Sequence, residues 1–141
     1  MKKILSAFFL FFSLFSLSQQ RGSIEISVKN IKSSSGNIMV YLYNAENGFP
    51  KKKELSYKSK MLKARKDLQL RFENIPFGNY AVILFHDANG NKRMDRNWIG
   101  FPAEGYGLSN NVKPRFGPPR FKDAEFVLDT SLKTVKIQVR Y

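Results

Sequence analysis

Apolar and polar side chains alternate with a period of two along most of this chain, and that rhythm confines it to β-structure. Ile24, Ile26 and Val28 alternate with Ser23, Glu25, Ser27 and Lys29. Ile38, Val40 and Leu42 point one way, and Met39, Tyr41 and Tyr43 the other. Leu68, Leu70 and Phe72 repeat the pattern, as do Val135, Ile137 and Val139 near the C-terminus. Tyr80 to Phe85 is nearly all apolar, which predicts a central strand covered on both faces. A basic strand over 57–65 and a short one over 124–128 bring the expected number to about seven. Turn residues separate them, at Ser33-Ser34-Ser35-Gly36-Asn37 and at Pro76-Phe77-Gly78-Asn79. No stretch carries a convincing helical period, so the expected fold is an all-β antiparallel sandwich.

Residues 87–122 break the rhythm. A connection of that length is uncommon in a compact domain and tends to be functional. Trp98, Phe101, Tyr106 and Phe121 gain by burial, so the segment reads as one long, folded, irregular loop. With Lys113, Arg115 and Arg120, its aromatics are candidates to line a ligand groove at one end of the sandwich. The competing reading is that they plug the open end of the core.

The most specific local pattern is His86-Asp87-Ala88-Asn89-Gly90-Asn91-Lys92-Arg93-Met94-Asp95. Asp87, Asn89, Asn91 and Asp95 match positions 1, 3, 5 and 9 of a calcium loop, and the Arg93 carbonyl falls at position 7. Lys92 stands where the sharp turn wants glycine, and Trp98 where a carboxylate should close the shell. Glu104 supplies that carboxylate only if the chain folds back. These features predict at most weak calcium binding and no other cofactor. The alternative is that Asp and Asn simply stabilise turns through their own backbone.

His86, the only histidine, ends the buried strand beside Asp87. It is a candidate ligand-binding group or general base, or else an imidazole packed under the loop. The chain contains no cysteine, which excludes disulfides and thiolate centres. It has no G-x-S-x-G either. A small periplasmic hydrolase built on His86, Asp87 and Glu104 is the rival to a non-catalytic binding module. A purely structural accessory domain is the third reading.

Lys2 and Lys3 followed by the apolar Ile4–Leu17 run and Ser16-Leu17-Ser18 have the layout of a secretory signal. The run is shorter than the ~20 residues of a membrane span. Cleavage after residue 18 leaves one sandwich domain over 22–141, without an integral membrane segment, in the periplasm or outside the cell. Loss of Lys2 and Lys3 lowers the formal charge from +13 to +11. Much of the remainder lies between Lys51 and Lys66, which hold eight basic residues against Glu54 alone. The segment reads first as a solvated strand whose lysines deter edge pairing. Weak polyanion contact is the alternative, because only Tyr57 interleaves to offer stacking.

Phe85 to Asn91 through Asp95, then Gly100 to Asn110, then Pro118-Pro119-Arg120-Phe121-Lys122-Asp123-Ala124, resemble the bacterial family called domain of unknown function 2141. The resemblance spans about 22–141. It implies a small exported protein with an immunoglobulin-like or transthyretin-like sandwich and assigns no activity. Many such proteins carry glycine at the position of Lys92.

Overall fold

A computed structural model describes residues 19–141. The expected signal segment, 1–18, lies outside the described residues. Eight strands form two sheets. They are β1 (Arg21–Lys29), β2 (Asn37–Tyr43), β3 (Lys58–Lys63), β4 (Leu68–Pro76), β5 (Gly78–Asp87), β6 (Tyr106–Leu108), β7 (Phe126–Leu128) and β8 (Leu132–Gln138). One sheet has the order β4-β1-β8 and the other β3-β2-β5-β6. β7 pairs with Gly78–Tyr80 and β6 with Ile83–Phe85, so both lie along one edge of β5. The protein is an all-β sandwich.

The alternation sets the core. Ile24, Ile26 and Val28 from β1, with Leu68, Leu70 and Phe72 from β4, pack against Ile38, Val40 and Leu42 of β2 and Tyr80, Val82 and Leu84 of β5. At about 1.5–3 kcal/mol for each large side chain fully buried, this layer dominates stability. The other face of the five-stranded sheet is also covered. Tyr41, Tyr43, Ala81, Ile83 and Phe85 form a second cluster with Leu108, Phe121 and Ala124. This explains why β5 is apolar on both faces.

Two expectations need correction. The pairing is not wholly antiparallel, because β1 and β8 run parallel from Ser23↔Leu132 to Lys29↔Gln138. Their strands are far apart in sequence, so no hairpin dictates their direction. Nor is 87–122 one irregular loop. It contains β6, a 3-10 turn over Ser109–Asn111 and the start of a short helix, α1 (Phe121–Ala124). The buried Ser109 hydroxyl accepts the Val82 N–H at 2.9 Å and donates to the Ala124 carbonyl, tying turn, helix and β5 together.

The turn before β2 is fitted against the end of β5. Gly36 has φ +70°, and a Cβ there would lie 2.8 Å from Ala88 Cα, so only glycine allows this approach.

Candidate functional site

The outer face of β2, β5 and β6 is the floor of a groove of about 860 Å³. Tyr41, Ile83, Phe85, Tyr106 and Leu108 supply an apolar base. Burial, and then the neighbouring Asp87 carboxylate, push the Tyr41 hydroxyl up and keep it neutral. Three segments make the walls: the stretch around Pro50–Glu54, the 92–102 loop and the 114–119 loop. They bring in Lys51, Lys53, Lys92, Arg93, Arg96 and Arg115, against Glu54 as the one acid in the lining among the described residues. Low-dielectric walls strengthen the field of such a cationic rim.

Local turn chemistry shapes these walls. Asn97 Oδ1 accepts the N–H groups of Ile99 and Phe101 at 3.2 and 3.0 Å, and Arg96 donates to the Gly100 carbonyl at 2.8 Å. Gly100 takes φ +87° within this turn. The result thrusts Trp98 outward at 94% exposure and leaves Phe101 63% exposed, while Phe116 on the facing loop is 99% exposed. Lys53 Nζ donates to the Lys92 carbonyl at 2.9 Å and joins two of the walls.

The Asp87–Asp95 segment curls on itself. Asp87 Oδ2 accepts the Lys92 N–H at 3.0 Å, Asn89 Oδ1 that of Asn91 at 3.1 Å, and Asn91 Oδ1 that of Arg93 at 2.8 Å. Asp95 receives both amide groups, Asn89 Nδ2 at 2.7 Å and Asn91 Nδ2 at 2.9 Å. Glu104 does fold back: its two oxygens accept the N–H groups of Ala88 at 3.1 Å and Asp95 at 3.3 Å. Among the described residues, no three His, Cys, Asp or Glu side chains form a metal-binding group. Any cation held here would rely on amide and carbonyl oxygens as well as carboxylates.

His86 lies apart from the groove and is buried. Its Nε2 meets the Ser35 carbonyl at 2.7 Å, and its Nδ1 meets the Tyr141 hydroxyl at 2.7 Å. A carbonyl only accepts, so Nε2 carries the proton, and Nδ1 accepts from Tyr141 in the neutral ring. The Tyr141 oxygen in turn accepts the Lys32 N–H at 3.0 Å. Both ring nitrogens are therefore engaged in joining β5 to the 33–37 turn and the C-terminus.

Of the proposed ligand-binding residues, Phe101, Tyr106 and Arg115 line the groove; Trp98 does not, although Ile99, its neighbour in sequence, does. Glu104 belongs to the Asp/Asn loop. Arg120 forms a two-pronged pair with Asp123 at 2.9 and 2.8 Å. That hydrogen bonding holds the Asp123 carboxyl below the usual range. Sequence reasoning missed the floor residues Tyr41, Ile83 and Phe85. Their signal was present: apolar residues on both faces of β2 and β5 require something above the sheet. The convergence of Lys51 and Lys53 with Arg93, Arg96 and Arg115 had no local signal.

The profile of a family described as an uncharacterized protein conserved in bacteria, DUF2141, matches residues 26–136. No curated protein matches the chain. No solved structure matches it either.

Proposed function

The chain belongs to DUF2141, whose description assigns no activity, and we propose its function from geometry alone. It is an exported, non-catalytic binding module whose groove takes an amphiphilic anion, a molecule with an apolar body and one acidic head. The observation that carries this reading is the pairing of an apolar floor with a rim of six cations and one acid. A volume of about 860 Å³ also falls in the ~300–1,000 Å³ range of small-molecule sites. Exposed Trp98, Phe101 and Phe116 speak against a loop that merely closes the sandwich. The hydrolase reading has less support, because His86 spends both nitrogens on structural partners and Glu104 accepts two backbone N–H groups.

Trp98 is the sole tryptophan and precedes the groove-lining Ile99, so it serves as a native reporter. Dodecanoate added below its micelle concentration should shift its emission to shorter wavelength in a saturable way, while dodecanol should not. Arg115→Glu should weaken dodecanoate about tenfold, the size of one lost charge-assisted contact. Equal binding of dodecanol, or no saturable change, would sink the reading. Sedimentation with phosphatidylglycerol vesicles without any response to dodecanoate would replace it with docking on an anionic lipid surface.

A further inference from the structure

Asp87 is fully buried, at 0% exposure. Its Oδ2 accepts the Lys92 N–H, which holds the carboxylate against the loop, but Oδ1 has no hydrogen-bond partner among the described residues. None of the ion pairs among the described residues involves Asp87. A buried carboxylate is tolerated when it is paired, fully hydrogen-bonded or bound to a cation. Neither of the first two conditions is met here.

The surroundings offer oxygens from which the third could be met. Oxygen-bearing groups recur at the first, third, fifth, seventh and ninth residues counted from Asp87. The sixth, Lys92, takes φ +61°, the left-handed turn for which a calcium loop normally uses glycine. The lysine is accommodated, so the departure in sequence is not a departure in backbone. Glu104 closes the other side, in contact with the second and ninth residues of the loop. Asp87, Asp95 and Glu104 do not converge as a ready-made carboxylate cluster among the described residues, so an ion here would draw on them together with the amide and carbonyl oxygens, a set suited to calcium rather than to zinc.

We propose that Asp87, Asn89, Asn91, the Arg93 carbonyl, Asp95 and Glu104 form a calcium site that satisfies the buried Asp87 carboxylate. Glu104 replaces, from nine residues beyond Asp95, the carboxylate that the loop lacks at its twelfth position. Binding exchanges the contacts of Asp95 with the two asparagine amides for contacts with the ion. The cations Lys92, Arg93 and Arg96 lower the affinity to the order of 10⁻⁴–10⁻³ M, as in extracellular modules. The site does not depend on the groove having a ligand, although the same loop forms one of its walls.

The test is thermal unfolding of the mature chain, freed of metal with a chelator and then titrated with calcium at constant ionic strength. A saturable rise in Tm of roughly 5 °C by 10 mM calcium is expected. Magnesium should give much less. Asn91→Ala changes an exposed side chain and should remove the response while the protein still folds. Asp87→Asn should abolish the calcium response and, in chelator, melt no lower than the unaltered protein, since it removes a buried charge. No saturable shift up to 10 mM, an equal shift with magnesium, or a shift that survives in both variants would overturn the proposal.

Discussion

Tyr43 is 1% exposed, and its hydroxyl has no hydrogen-bond partner among the described residues. Burial first, then Tyr41 and Glu54, push it up to about 12, whereas a solvated tyrosine titrates near 10. Between those two values the folded chain keeps a proton that the unfolded chain has lost. Stability therefore falls as pH rises from about 10 to about 12. Tyr43→Phe deletes both the unpaired hydroxyl and this titration. It should raise stability at pH 7 by about 1 kcal/mol and flatten the alkaline decline. Urea midpoints at neutral and strongly alkaline pH check both; a large loss at pH 7 would reveal a partner for the hydroxyl. Tyr41 and Tyr80 shift in the same direction, also chiefly through burial, so some alkaline sensitivity should persist.

At the scale of elements, the basic run from Lys51 to Lys66 is divided. Lys51 and Lys53 reach the groove, whereas Lys58, Lys60 and Lys63 belong to β3, the outermost strand of its sheet. Lysines on an edge strand obstruct pairing with another chain. Two are further occupied: Lys58 donates to the Glu73 carbonyl at 3.2 Å, and Lys60 lies over the Phe72 ring at 5.6 Å. A polyanion therefore meets the charge of this run divided between two places. Heparin should bind weakly and be released near physiological salt, about 0.15 M. Retention at high salt would show that the divided run acts as one surface.

For the whole molecule, cleavage after Ser18 is an expectation carried by the sequence alone. β1 begins at Arg21, and the Gln20 carbonyl already accepts the Phe77 N–H at 2.8 Å. A cut after Ser18 would leave this strand and its contacts intact. Exported protein should begin Gln19-Gln20-Arg21. N-terminal sequencing or intact mass of material from outside the cytoplasm checks this, and retention of residues 1–18 would refute it.

Alternation along the chain was enough to place β1, β2, β4, β5 and β8 and to choose their inward faces. Side-chain direction in a strand is a local, period-two property. The oxygen spacing from Asp87 to Asp95 was equally local and equally legible. What lay beyond the sequence was long-range. β6 is three residues long, too short to show a period, and it exists because β5 offers it an edge. The parallel pairing of β1 with β8 joins strands from opposite ends of the described chain. The return of Glu104 to the Asp/Asn loop and the meeting of six cations above Tyr41, Ile83 and Phe85 are likewise products of packing. A residue type and its periodicity are written in the chain; which distant groups share a cavity is decided only when the sheets close.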